Sequence, residues 1–347
     1  LTKNVLRVLA GPTARAHMQQ HGLKQQDISV MVGASGGPKW FSLFGLDQYL
    51  FGDFFKQRNT PLHILGSSAG AWRFACFAQA DPVAASKRFC QAYSTIYYPK
   101  DADAQLISDI SAKIIDDVFP DEQHLQQVLD NPYIKLNLVV AKARRISSAR
   151  NKLLQAGGLT LAAGANLINR KHLRHFYQRV LFHADTQPSP FHYAGVLPTQ
   201  HVELTRDNLR QAVLASGAIP MVLKPVQDIA GAGKGLYYDG GVTDYHFDIP
   251  FSEHGLVLYP HFYPNLTPGW FDKALKWRRA KPAHLHNVVL LCPSENWVKS
   301  LPFGKIPDRT DFKLPDEVRV AYWQEVISRS HELADAFKHG HYQLEAI

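Results

Sequence analysis

Short apolar runs alternate with longer stretches of helical spacing along most of this chain. Ile28-Ser29-Val30-Met31-Val32 is β-branched and apolar and stops at Gly33, which predicts a buried strand. Beyond a glycine-rich turn, Leu43, Leu46, Leu50 and Phe54 recur at helical spacing, and Thr60-Pro61 ends that helix. Leu62-His63-Ile64-Leu65 predicts a second strand and residues 71–79 a helix. Helix continues to about Leu129, punctuated by Asp81-Pro82 and Phe119-Pro120-Asp121, and a long strand follows over 134–143. Residues 201–205, 255–259 and 287–292 predict further strands, and 208–215 a helix capped by Asp207. Val320, Trp323, Ile327, Ala334 and Phe337 form the apolar stripe of a final helix. Strands alternating with helices in this order predict a mostly parallel sheet with helices on both faces.

One segment breaks the alternation. Leu153 to Ile168 holds no charged residue and is rich in Ala, Gly and Leu. Arg144, Arg145, Arg150 and Lys152 precede it, and Arg170, Lys171, Arg174 and Arg179 follow. It is shorter than the ~20 apolar residues of a membrane span. The expected arrangement is a buried helical hairpin with snorkelling basic ends. The alternative is a segment lying at a lipid interface, with 144–200 as a candidate lid or membrane-facing insertion. Residues 260–282, with their Trp and Lys residues, read as a surface excursion. The chain shows no internal repeat and no low-complexity tract.

The chain has 347 residues, 46% of them hydrophobic, enough to bury a large core in one big α/β domain or two smaller ones. Charged residues make up 20% without any block of like charge, so extended disorder is not expected. The net charge of +8 favours anionic partners such as phospholipid head groups, an anionic membrane surface or acidic metabolites. No helix-turn-helix, zinc-finger or RNA-binding signature is present, so nucleic acid is not an expected partner. Cys76, Cys90 and Cys292 are too few and too far apart for a disulfide framework or a zinc site. A reducing compartment, the cytoplasm, fits that usage, and Cys76 is expected to pack in the core. The apolar part of the N-terminus is too short for a signal peptide.

Three short blocks carry the candidate chemistry. Gly33-Ala34-Ser35-Gly36-Gly37-Pro38-Lys39 is a glycine-rich loop after the first strand. Gly66-Ser67-Ser68-Ala69-Gly70 lies between the second strand and its helix, the arrangement of a nucleophile elbow with Ser68 at its tip. The third block runs Ala212-Val213-Leu214-Ala215-Ser216-Gly217-Ala218-Ile219-Pro220 and leads to Asp239-Gly240-Gly241. A serine hydroxyl is a weak nucleophile until a base takes its proton. A carboxylate near its reference pKa of ~3.9 is a poor base that partial burial improves. Glycines beside Asp239 present no side chain and allow a close approach to Ser68.

In this order and at these strand ends the blocks resemble the patatin-like phospholipase family over about 28–250. The resemblance implies a three-layer α/β/α fold with a mostly parallel central sheet and a Ser68/Asp239 dyad without a catalytic histidine. It implies a serine hydrolase that cleaves phospholipid or other long-chain esters (phospholipase A or lysophospholipase type) through an acyl-enzyme, with no cofactor and no metal. Gly36 and Gly37, with Lys39 and Ala69, would supply oxyanion-hole amides; Pro38 has no N–H to give. Ser35 and Trp40 depart from the family's loop, standing where glycines are usual. The expected organisation is one domain over 1–347, with a motif core at 28–250 and a C-terminal extension at 251–347. Association with a membrane surface would be peripheral.

Other readings stay open at this point. His246, His284 or His286 follow Ser68 and Asp239 in the order of a Ser-Asp-His esterase triad. A catalytically silent lipid-binding scaffold could keep the same elbow. His172/His175 and His339/His341 are spaced for metal but lack a carboxylate or cysteine partner. Ser216 is expected to pack at a helix end, Asp244 and Asp248 to serve as turn or cap residues, and Lys39 could be merely solvated.

Overall fold

The computed structural model describes residues 4–149, 151–184, 190–191, 197–251 and 255–347. Its strands, in chain order, are β1 (Leu6–Ala10), β2 (Ile28–Gly33), β3 (Leu62–Ser67), β4 (Ile134–Ala143), β5 (Tyr177–His183), β6 (Thr199–Glu203), β7 (Val226–Gln227), β8 (Leu236–Asp239), β9 (Leu256–Pro260), β10 (Val288–Pro293) and β11 (Gln343–Ala346). They form one sheet in the order β11-β1-β10-β9-β2-β3-β4-β5-β6, with β8 pairing β4 and β7. From β10 through β9, β2 and β3 to β4 every pairing is parallel. The central strands β2, β9 and β10 are nearly continuous apolar runs, as strands covered on both faces must be. This is the mostly parallel α/β sheet that the alternation predicts. β9 and β10, from beyond residue 250, sit inside it.

β1, β5 and β11 were not predicted, whereas the edge strand β6 overlaps the strand expected over 201–205. β1 and β11 pair in parallel, and β5 runs antiparallel to β4. Three helices begin where local chemistry starts them: Asp81, Asp103 and Asp121 each accept a backbone N–H at a helix start. The helix expected after the glycine loop is instead a 3₁₀ turn (Gly37–Leu43), an α segment (Phe44–Tyr49) and a π turn (Leu50–Phe54). Large aromatics, Trp40 and Phe41 among them, crowd this stretch against Phe89 and Trp323. Trp40 is fully buried and stacks on Phe89 at 4.6 Å, so the unusual loop residue is a core residue. The final stripe is shared by two helices, Asp316–Arg329 and His331–Lys338.

The uncharged segment corrects the hairpin expectation. It is a single helix, Lys152–Ile168, and Leu153, Leu154, Leu161, Leu167 and Ile168 are exposed on it. Its inner side is held by polar bonds: Asn166 donates to Asp272 at 2.7 Å and Gln155 donates to the Tyr238 hydroxyl. Arg170 adds a bond to Asp272 at 2.8 Å. Arg150, 185–189 and 192–196 of the basic flank and candidate lid lie outside the described residues, as do Leu1, Thr2 and Lys3.

Candidate active site

The pairing along β4 brings the site together. β3 runs beside β4 until Ser67 stands opposite Val139. On the same edge of β4 the next residue, Val140, stands opposite Asp239 of β8, which runs the other way. Two strands therefore end head to head along one edge. The residue after β3, Ser68, meets the residue ending β8, although 171 positions separate them. Ser68 Oγ donates to Asp239 Oδ2 at 2.7 Å, and both residues are buried. Gly241 N–H donates to Asp239 Oδ1 at 2.7 Å and fixes the carboxylate's second oxygen.

The elbow is strained and braced. Ser68 sits at φ 54° and ψ −126°, a region costing about 1–3 kcal/mol for a residue with a side chain. Its carbonyl accepts the amides of Ala71 at 2.9 Å and Trp72 at 3.2 Å, and its own amide donates to Ser216 Oγ at 2.9 Å. Ser216 in turn donates to the Val139 carbonyl at 2.8 Å. The helix behind the elbow, Ala69–Phe77, crosses β2 so closely that a Cβ on Gly70 would stand 2.0 Å from the Gly33 carbonyl oxygen. A Cβ on Gly240 would stand 2.1 Å from the Val139 carbonyl oxygen. Arg73 bonds Asp47 through two nitrogens at 2.7 and 2.6 Å in full burial, bolting the elbow helix to the segment behind the glycine loop.

Burial pushes the Asp239 carboxyl above its ordinary value. The Ser68 and Gly241 bonds, then Arg309 and Lys273, pull the other way without reversing it. The carboxylate is thereby a better base than a solvated one, with its lone pair aimed at the serine proton.

Ser35, Gly36, Gly37, Lys39, Ser68 and Asp239 all line one cavity of about 270 Å³. Ser35 Oγ bonds Ser67 Oγ at 2.8 Å, so the first departure from the loop pattern ties the loop to the elbow. Among the described residues neither the Gly36 nor the Gly37 amide donates to another backbone group. Ala69 opens its helix, where an amide has no carbonyl one turn back. The Lys39 amide is removed from the predicted donor set: it turns into the 3₁₀ segment and donates to the Gly36 carbonyl at 3.4 Å. The Lys39 side chain is half-buried on the cavity wall rather than free in solvent, and loss of solvent lowers its ammonium's pKa.

A second cavity of about 360 Å³ opens from the same serine. Trp72, Phe89, Tyr93, Ile107, Ile114 and Leu223 give it apolar walls. It shares Gly37, Ser68, Ile219 and Arg309 with the first, so Ser68 stands where a polar and an apolar chamber meet.

The three candidate histidines are engaged elsewhere. His246 is buried, accepts the Thr267 amide on Nδ1 at 3.0 Å and stacks on Tyr245 at 4.3 Å. Burial, then His261, pushes its pKa well down. His284 pairs with Asp248 at 2.7 Å, and the His286 carbonyl takes the Thr13 and Ala14 amides. None of the three hydrogen-bonds Ser68 or Asp239.

Comparison with known proteins fits this geometry. A model of the patatin-like phospholipase family matches residues 31–247, well over half of the chain. The chain belongs to the patatin-like phospholipase family. The match lies inside the expected 28–250 and takes in the glycine loop, the elbow and Asp239. Among solved structures the chain is similar to VipD from Legionella pneumophila, at 16% identity over 75% of this chain and 53% of that one, with a TM-score of 0.32. It is also similar to the ExoU–SpcU complex of Pseudomonas aeruginosa, at 12% identity over 96% of this chain and 54% of that one, with a TM-score of 0.30. The chain thus spans about half the length of these proteins. No curated protein matches it.

This patatin-like site also uses residues to which the sequence assigns no part in it. Ser216, expected to pack, holds the Ser68 amide, while the Ala218 carbonyl accepts the Asp239 amide at 2.9 Å. The third block therefore clamps both Ser68 and Asp239; its only local signal was its place between the elbow and Asp239-Gly240-Gly241. Asp244, expected at a turn, is a buried partner of Arg179, with two bonds of 2.7 Å. Residues 260–282 are more than a surface excursion: His261 and Phe262 are buried, and Trp270 and Lys273 wall the first cavity. Ser216→Ala should lower stability by about 1–3 kcal/mol, because the buried Ser68 amide loses its acceptor. Urea unfolding reads the effect, and Ser216→Thr, which keeps the hydroxyl, should recover part of it.

Proposed function

We propose that the protein is a lipid acyl hydrolase that cleaves carboxylic esters through a Ser68/Asp239 dyad and an acyl-enzyme. The 2.7 Å bond from Ser68 Oγ to Asp239 Oδ2, at the junction of the two cavities, carries this reading. Asp239 takes the Ser68 proton as Oγ attacks the ester carbonyl. The oxyanion is held by the Gly36 and Gly37 amides, with Ala69 at the helix start, each donor worth ~3 kcal/mol by analogy with other oxyanion holes. The leaving alcohol takes the proton from Asp239. Water then opens the acyl-enzyme with Asp239 again as base. The apolar chamber suits the acyl chain, which supports long-chain esters of the phospholipid or lysophospholipid type as substrates.

Family membership supports lipid esters as the substrate class. The direct test is release of free fatty acid from phospholipid, lysophospholipid and neutral ester by the whole chain. Release from at least one class is expected. A folded protein that binds lipid and releases none would be a silent scaffold instead. The position of β9 and β10 within the core sheet supports reading 1–347 as one patatin-like domain.

We also propose peripheral contact with anionic membranes through the helix Lys152–Ile168. Leu153 and Ile168 are 82% and 80% exposed, and Arg144, Arg145, Lys171 and Arg174 are exposed beside the helix ends. The Asn166–Asp272 bond sets this helix beside the cavity wall formed by Trp270 and Lys273. No described helix is long and apolar enough to cross a membrane. The protein should float with vesicles containing anionic lipid, and Leu153→Ser with Ile168→Ser should release it. Equal flotation of the double variant would contradict this contact.

A further inference from the structure

Tyr93 stands near the end of the helix Pro82–Ser94 and lines the apolar chamber beside Ser68. Three rings hold its own: Phe41 at 5.6 Å, Phe89 stacked at 5.8 Å and Trp323 at 6.5 Å between centroids. This packing fixes where the phenol oxygen goes, and that place is beside the oxyanion loop. A Cβ built on Gly37 would stand 3.7 Å from the Tyr93 hydroxyl and 3.6 Å from Arg309 Cγ, and nothing outside the adjoining residues lies closer. The space in front of Gly37 is therefore an opening of atomic size, walled by a hydroxyl and an arginine stem. Inward-facing tyrosines elsewhere are engaged: Tyr237, Tyr259 and Tyr322 each donate to a backbone carbonyl. Among the described residues the Tyr93 hydroxyl has no such partner, and it is not sealed off from the chamber. Burial, then Tyr98, raises the phenol's pKa, and Arg309 opposes this without reversing it, so the group stays an O–H donor.

The chamber that Tyr93 lines decides what this hydroxyl meets. Gly37, Ser68 and Ala69 line it too, the nucleophile and two of the residues whose amides face the oxyanion. The polar cavity, where a leaving alcohol would emerge, is not lined by Tyr93. The loop itself is short of donors: Pro38 has no N–H, and the Lys39 amide is turned to the Gly36 carbonyl. We propose that Tyr93 is a further catalytic residue, whose hydroxyl donates a hydrogen bond to the ester's carbonyl oxygen, beside the Gly37 and Ala69 amides, as that oxygen becomes an oxyanion. The proposal rests on the ester-hydrolase reading and adds a side-chain donor to a hole otherwise made of backbone. No proton changes hands at this group. The phenol keeps its own, Asp239 still carries the Ser68 proton to the leaving alcohol, and the acyl transfer balances as before. A donor already held by three rings needs no reordering when charge develops on the oxygen, which is when it stabilises most.

The test is Tyr93→Phe in the full chain, which keeps the ring and its three contacts and removes only the oxygen. The melting temperature should therefore stay close to that of the wild type. Ester hydrolysis should fall by about 10- to 100-fold in kcat with KM little changed, because the bond is made in the transition state. The loss should be equal for esters of short and long acyl chains. A loss that grows with chain length would mean that Tyr93 only packs the chain, and overturns the proposal. A kcat within about twofold of the wild type overturns it too. A trifluoromethyl ketone, which Ser68 converts to a tetrahedral oxyanion, should bind the variant more weakly by the same factor as kcat/KM falls. Unchanged affinity for that ketone counts against the donor. Calorimetric titration with decanoate, whose carboxylate stands in for the oxyanion, needs no turnover and separates the two readings. Binding weakened about tenfold in Tyr93→Phe, in a protein that hydrolyses no ester, leaves the donor standing and sinks the hydrolase. Decanoate binding that is absent from the wild type, or equal in both proteins, sinks the donor.

Discussion

Ser68→Ala should cut ester hydrolysis by ~10⁴-fold or more while leaving the protein folded. The hydroxyl is the group that would form the acyl-enzyme, and no neighbour can replace it. Ser67, one residue earlier, is fully buried with its Oγ bonded to Ser35, and Ser216 is spent on the Ser68 amide and the Val139 carbonyl. The fold survives because the braces of the elbow are backbone bonds that alanine also makes. Ala71, Trp72 and Ser216 bond the carbonyl and amide of residue 68, not its side chain. Fatty-acid release measures the loss, and circular dichroism with a melting curve shows the retained fold.

Asp239→Asn should cost about 10²- to 10⁴-fold in kcat/KM, the range for removing a general base. The amide is nearly isosteric, and its oxygen can still accept the Gly241 N–H. Its nitrogen then donates toward Ser68, so the serine proton has nowhere to go. The pH profile distinguishes this loss from a merely distorted site. Burial raises the Asp239 pKa, and a base works only when ionised, so wild-type activity should fall as pH drops through a value above the ordinary carboxylate range. The Asn variant should lack that acid limb. A variant with full activity, or one with an unchanged limb, would remove Asp239 from the chemistry.

Ser68 and Asp239 were legible because each advertises itself locally. A serine between two glycines at a strand end, and an aspartate before two more, need no knowledge of the rest of the chain. Their meeting was not legible, since it depends on β3 and β8 ending on one edge of β4. Ser216 packs at its helix end as expected, but its bonds to Ser68 and Val139 were not legible, because those residues lie 148 and 77 positions away. Lys273 and Arg309 carry no motif and look in sequence like any surface cations. The central strands stood out as apolar runs. Gln343–Ala346 did not, being four residues of an edge strand with no buried face. Tyr177–His183 was masked by the basic and uncharged stretch before it. For Leu153 to Ile168, composition alone cannot tell a helix buried on all sides from one with leucines facing outward. That distinction comes only with neighbours, here Asp272 and Tyr238 on one side.

Everything depends on Ser68 being an activated nucleophile, and covalent labelling asks this of the residue itself. The folded protein is treated with a fluorophosphonate, digested, and the peptide spanning 59–73 fragmented. The adduct should sit on Ser68 and not on Ser67, form far more slowly in Asp239→Asn, and be absent from Ser68→Ala. Ester hydrolysis by a protein whose Ser68 stays unmodified, or labelling that persists after Ser68→Ala, would contradict the account.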